Sequence, residues 1–280
     1  GIFQEFGLES ASTAGARAEF GVITGSYDRN LESGALRKNI GDFSDEINVA
    51  NGKFNDTGAI KAMDSFVLFG RNSGSYAGSG NQLPADMRDG TLPAWGNPVG
   101  EMVAQALRYF AKGSSTNPTS GSNDSSRGLG TVAWKDPLAS DTNRNKLYGN
   151  PLCRPMYTLA LSSSALSFDE ESAKQLTGIT NSIDSYVNQV GGNEGISNTV
   201  RSVGSINGGW GETCSGKTIG NLSDATAVCP EAPAIKGTWQ VAGAALYANT
   251  SKIRDTANLS NIPGDLSKVQ DALKVKTLAA

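Results

Sequence analysis

The stretch WGNPVGEMVAQALRYFAK, Trp95–Lys112, decides the fold class. It reads as a helix that opens at Asn97-Pro98 and stops at Gly113. An asparagine oxygen can accept one of the unpaired first-turn N–H groups, and proline's fixed φ suits the first helical position. Val99, Met102, Val103, Ala106, Leu107 and Phe110 recur at three- and four-residue steps, which gathers them on one face. Glu101, Gln105, Arg108 and Lys112 fall mostly off that face, and the order of acid first and base last suits the helix dipole. A one-sided apolar stripe needs a surface to cover, so the fold class turns on what lies either side of it.

Strands lie on both sides. Ala18–Tyr27 is an apolar, β-rich run ending in turn residues, and Ala35–Ile40 follows the Gly34 step as a second short strand. Asn51-Gly52 marks a tight turn. Thr57–Gly70 carries Ile60, Met63, Phe66, Val67 and Phe69 near helical spacing, which predicts a short helix. Downstream, Met156–Ser162 is short, apolar and turn-bounded, the pattern of a central strand. Asp169–Thr180 and Asn181–Val190 read as helices, the second with Ile183, Tyr186, Val187 and Val190 on one face. Thr199–Val203 reads as a further buried strand, Thr238–Asn249 and Asp265–Leu273 as helices, and the final KVKTLAA as a strand cut short. Strands alternating with helices predict an α/β fold with a mostly parallel central sheet and flanking helices. The sheet is expected to hold both the Phe20 and Met156 strands under the Asn97 helix. Polar stretches at about 71–93 and 114–151 enter as long loop insertions. With no repeat and no clean boundary, residues 1–280 read as a single domain, a piece of a longer processed protein.

Composition narrows the chemistry. The net charge is −3 and charged residues make up 18% of the chain, so there is no electrostatic case for nucleic acid or an anionic membrane. No apolar run approaches the roughly 20 residues needed to span a bilayer. There are no histidines, which removes Ser-His-Asp and Cys-His nucleophile systems and His-ligated zinc or iron. Of the three cysteines, Cys214 and Cys229 are spaced to close a loop worth about 3 kcal/mol in the chain-entropy picture. Cys153 is left over, and three unpaired thiols are the alternative.

One stretch imitates an active-site motif. Gly211–Thr218, GETCSGKT, fits G-x-x-x-x-G-K-[ST], in which Lys217 would neutralise a nucleotide phosphate and Thr218 would hold Mg²⁺. Its setting argues against that reading. SINGGW before it is a loop, and Gly220, Asn221 and Pro230 sit where a helix should grow. Asp141–Asn145 begins like a calcium loop, but Lys146 and Leu152 occupy the positions that need Gly and Glu. A looser calcium site and a plain polar loop both stay open there. Phe168–Glu171, FDEE, reads as the acidic first turn of a helix.

Four blocks, in order, resemble the PilC/PilY family of type IV pilus tip-associated adhesins. They are FGVITGSYDRNLESGALRKNI (from Phe20), WGNPVGEMVAQALRYF (from Trp95), CRPMYTLALSS (from Cys153) and CPEAPAIKGTWQVAGAALYANTSKIR (from Cys229). The resemblance implies a von Willebrand factor A-like domain on the bacterial surface, pilus tip or outer membrane. It implies roles in pilus biogenesis, twitching motility and adhesion, with pilins, pilus assembly proteins or a host or surface ligand as partners. Such domains hold a metal through D-x-S-x-S and a later Asp. No D-x-S-x-S is present here, and Ser163 stands at the Asp position, where a neutral hydroxyl binds a divalent cation weakly. The expectation is therefore a non-enzymatic module with no catalytic, cofactor or metal residues in this span, a cation being left to the full-length protein. Asn97 and Ser163 are its candidate contact surface. A nucleotide-binding protein using residues 211–218 and a generic extracellular binding domain are the alternatives.

Overall fold

The computed structural model describes residues 18–32, 34–42, 46–48, 50–56, 58–67, 71–72, 75–76, 89–90, 95–115, 121–139, 154–162, 165–169, 176, 182–208, 213–227, 229, 236–254 and 273–280. In chain order these form β1 (Phe20–Thr24), β2 (Ala35–Gly41), β3 (Ile47–Asn48), β4 (Lys53–Phe54), α1 (Ala59–Asp64), β5 (Arg71–Asn72), β6 (Ser75–Tyr76), α2 (Val99–Phe110) and α3 (Ser122–Ser126). They continue with β7 (Met156–Ala160), α4 (Asp184–Asn193), β8 (Thr199–Val203), β9 (Ser205–Ile206), β10 (Ser215–Ile219), β11 (Ala225–Thr226), α5 (Gln240–Thr250) and β12 (Val275–Ala279). The helices predicted over Asp169–Thr180 and Asp265–Leu273 lie, but for a few residues, outside the described residues, as do Asp141–Asn145, Cys153 and Ser163.

The architecture is mixed α/β, built from two-stranded pairs and a few helices. A single mostly parallel sheet is not what the described residues form. β1 pairs antiparallel with β2, from Thr24 opposite Ala35 to Phe20 opposite Gly41. The short link between them explains the direction, because antiparallel neighbours need only a brief turn whereas parallel ones need a long crossover. β7 and β12 have that crossover, running through α4 and α5, and pair in parallel from Met156–Val275 to Ala160–Ala279. The Phe20 and Met156 strands are therefore not hydrogen-bonded neighbours among the described residues.

Among the described residues, two hydrophobic cores form. The larger gathers Val99, Val103, Leu107 and Phe110 of α2, Ala244, Tyr247 and Ala248 of α5, Met156 of β7 and Val275 of β12, with Ile183, Ile253 and Leu273. The smaller joins Val187 of α4 to Val203, Ile219, Leu222 and Ala225. α4 links them, since Ile183 faces the first core and Val187 the second, four residues apart on one face.

The helix read from Asn97 forms over Val99–Phe110, with three corrections. Its N-cap is Pro98 and no side chain caps it. Glu101 and Gln105 are both wholly buried, so the polar side is enclosed over the first two turns and only half-buried Arg108 and exposed Lys112 reach towards water. Packing against α5, β1 and β7 encloses the helix more fully than its pattern predicts. β8, expected to be buried, exposes all but Val203 and half-buried Thr199, because it belongs to a two-stranded ribbon that presents only one side to the small core.

Candidate functional site

The C-terminal end of β7, where the strand runs into a polar loop, meets the N-terminal mouth of α2. Asn97 holds the two together. Its backbone N–H donates to Ser167 Oγ at 2.9 Å, and its Nδ2 donates to Ser162 Oγ at 2.9 Å and to the Ala165 carbonyl at 3.1 Å. Ser167 N–H returns a bond to the Asn97 carbonyl at 3.1 Å. Asn97 is thus a cross-link between α2 and the loop after β7 rather than a helix cap. Its proposed companion Ser163 lies outside the described residues.

The residues before Asn97 are fitted closely. Gly96 has φ +95°, a left-handed conformation open to glycine, and an added Cβ would overlap the Asn30 carbonyl oxygen. Asn30 reaches across this loop cluster, donating from Nδ2 to the Trp95 carbonyl at 2.8 Å and accepting from Gly90 N–H at Oδ1. Beside it, Asp28 accepts from the N–H groups of Asn123 and Asp124, which open α3. Asp89 accepts from Leu31 N–H at 2.9 Å and from Arg29.

Beneath these loops lies a buried ion pair. Arg37 Nη2 meets Asp124 Oδ2 at 2.8 Å with both side chains almost fully enclosed. The remaining Arg37 donors go to Thr24 Oγ1 and the carbonyls of Gly25, Leu129 and Gly130. The other Asp124 oxygen accepts from Tyr27 N–H at 2.7 Å. Burial pushes the Tyr27 phenol up, against the pull of its bond to Val67. Periodicity could not find Arg37 or Asp124, since they stand 87 positions apart. Their only signal was a charged residue inside an otherwise buried strand, Ala35–Lys38.

This network decides what the arrangement can do chemically. The acidic side chains Asp28, Asp89 and Asp124 already accept from backbone N–H groups or arginine, so their lone pairs are engaged in holding loops. Asn97 turns its amide nitrogen, a donor, towards Ser162. Among the described residues no three acidic or thiol groups converge as cation ligands. Among the described residues these carboxylates brace the loops.

The nucleotide-binding motif is resolved by its geometry. Ser215–Ile219 is β10, paired residue by residue with β8, where a phosphate loop would open a helix. Lys217 Nζ is turned onto protein oxygens, donating to the carbonyls of Val203 at 3.2 Å, Gly204 at 3.1 Å and Thr213 at 3.3 Å, and to Ser215 Oγ at 2.9 Å. Thr218 belongs to the same ribbon. Cys214 is bonded to Cys229, across a separation of 15 residues, and so ties this ribbon to the chain that leads into α5.

Against known proteins, residues 20–248 match the family described as PilY1 homolog, second domain. The chain is similar to the type IV pilus biogenesis factor PilY1 homolog of Xylella fastidiosa, with 26% identity over an alignment covering 90% of this chain and 18% of that protein. The chain therefore spans less than a fifth of the length of this relative. No solved structure matches it.

Proposed function

The chain belongs to the PilY1 homolog second-domain family, and from that premise we propose that it serves type IV pilus biogenesis as a non-enzymatic module displayed at the bacterial surface. The family match over residues 20–248 carries this reading. The braced loops around Asn30, Asn97 and Asp124 support it, because binding surfaces sit on loops held by a rigid scaffold. Its partners are pilins or pilus assembly proteins, and through them it contributes to twitching motility and adhesion. Asn97 and the loop that contains Ser163 form one contact surface, with half-exposed Trp95 at its rim. We assign the scaffold to the von Willebrand factor A-like class. The support is the parallel β7–β12 pair with its long helical crossover and α2 packed on β7.

The module works by shape rather than by chemistry, and it needs no cofactor within this span. No helix of the described residues is long and apolar enough to cross a membrane. The reading is tested in the full-length protein by excising residues 18–254 in frame and counting surface pili by electron microscopy. Immunoblotting confirms that the shortened protein persists. Loss of pili is the expected result, and normal piliation and twitching would sink the proposal. Lys217→Ala should leave piliation intact, since that lysine is a strut and not a nucleotide ligand.

A further inference from the structure

Asparagine followed by glycine occurs at Asn51-Gly52 and again at Asn207-Gly208. Such a pair is chemically labile, because glycine has no side chain to shield its main-chain nitrogen from the carboxamide carbon before it. The fold holds the two pairs differently. Gly52 N–H donates to the Asn48 carbonyl at 2.7 Å, and the Asn51 side-chain oxygen accepts from Lys53 N–H at 3.0 Å. Both groups that would react are thus engaged in a turn. Asn207 and Gly208 are both exposed, with φ of +62° and +83°. The bond that seats Asn207 runs from its own N–H to the Asp224 carbonyl at 2.8 Å, on the side away from Gly208. A Cβ on Gly208 would meet nothing within 4 Å, so the main chain there has room to turn. Gly52 is equally open, so hydrogen bonding and not crowding separates the two pairs.

We propose that Asn207 is a site of spontaneous deamidation through ring closure onto Gly208, and that Asn51 is spared. The Gly208 main-chain nitrogen attacks Asn207 Cγ and gives up its proton to water. The carboxamide nitrogen takes a proton and leaves as ammonia, which closes a five-membered succinimide. Water then opens the ring. Breaking the bond from nitrogen to Cγ yields aspartate, and breaking the bond to the main-chain carbonyl carbon yields isoaspartate, whose main chain is one carbon longer. No oxidant or enzyme is required. The change falls at the end of β9, where Ile206 pairs with Ala225 and packs against the smaller core. Either product sets a new carboxylate on the residue that bonds Asp224, in a chain already at −3. Isoaspartate also shifts the main chain beyond β9, so the β9–β11 pair is the part that loosens. The inference is independent of the pilus role.

The test uses the full-length protein, incubated at mildly alkaline pH both folded and in urea. Peptide mass spectrometry follows the conversion of amide to acid at each site, and isoaspartate is scored by its fragmentation. In the folded protein Asn207 should convert to a mixture of aspartate and isoaspartate roughly tenfold faster than Asn51, the factor that one hydrogen bond is worth. In urea the two rates should converge. Equal rates in the folded protein, or faster conversion of Asn51, overturn the proposal. So does an Asn207 that stays intact in the folded protein after the urea sample has reacted. Gly208→Ala places a methyl group beside the attacking nitrogen and should slow Asn207 in urea, where the fold no longer matters. An unchanged rate in that variant would overturn the ring-closure route.

Discussion

At the residue scale, the loops depend on charges that water does not reach. Arg37 and Asp124 are both enclosed, and removing one partner strands the other in a medium that solvates it poorly. Arg37→Met should therefore destabilise the protein by about 3–5 kcal/mol in urea unfolding. The double variant Arg37→Met/Asp124→Leu should recover a large part of that loss, since no buried charge is left alone. If the double variant is as unstable as the single one, the carbonyl bonds of Arg37 matter more than the pair. Lys38 and Glu46 form a second enclosed pair at 3.1 Å, and Glu46 Oε2 also accepts from Ile60 N–H, standing in for the missing side-chain cap of α1. Burial opposes ionisation of Glu46, but the Ala59 and Ile60 N–H groups and Lys38 outweigh it and hold the carboxyl below its usual 4.5. A depressed folded value means the stabilisation is complete above pH 4.5 and is lost as pH falls through the lower folded value. Glu46→Gln should thus lower stability by about 3 kcal/mol at pH 7. The gap from wild type should narrow steadily below pH 4.5 when melting temperatures are compared.

At the scale of elements, what could be read from the chain was local and what could not was long-range. The strands at Phe20, Ala35, Met156 and Thr199 and the helices from Asn97, Asn181 and Thr238 all form near the expected places, because period and turn residues encode them directly. Strand partners were not legible, since pairing depends on connection length and on which edges remain free. Asn97 shows the same limit at the candidate site. Its position before Pro98 has the local signature of a cap, but Ser162, Ser167 and Ala165, some 65 to 70 positions away, claim its side chain and backbone. The Cys214–Cys229 pairing was legible from spacing alone and forms. It closes a loop around β10 and β11, so reduction should destabilise that ribbon by about 3 kcal/mol. Amide exchange should show residues 199–226 opening sooner after reduction while the α2–α5 core keeps its protection. Uniform loss across both cores would mean that the disulfide supports the whole molecule.

At the scale of the molecule, the two cores are joined through the seam between α4 and α5, and one glycine sets its width. A Cβ on Gly243 would lie 2.5 Å from Val187 Cγ2, 2.9 Å from Val187 N and 3.0 Å from the Ile183 carbonyl oxygen. Two of those neighbours are backbone, so rotation of a side chain cannot relieve the overlap and the helices must separate. Ile183 belongs to the large core and Val187 to the small one, so separation loosens both at their junction. The same seam encloses Tyr247, whose ring meets Tyr186 edge-on at 5.2 Å and whose phenol is pushed up to about 12, by burial first and by Tyr186 second. Gly243→Ala is expected to destabilise the protein by about 1–3 kcal/mol, the range for overpacking a filled core. It should also split thermal unfolding, with the ribbon around Val203 and Ile219 melting before the core around Leu107. Near-ultraviolet absorbance should report the widening directly, as Tyr247 regains water and titrates nearer to the ordinary tyrosine value of 10.0. A single unchanged transition with unchanged tyrosine titration would show that the seam accommodates a methyl group, and that the cores are coupled through contacts other than this one.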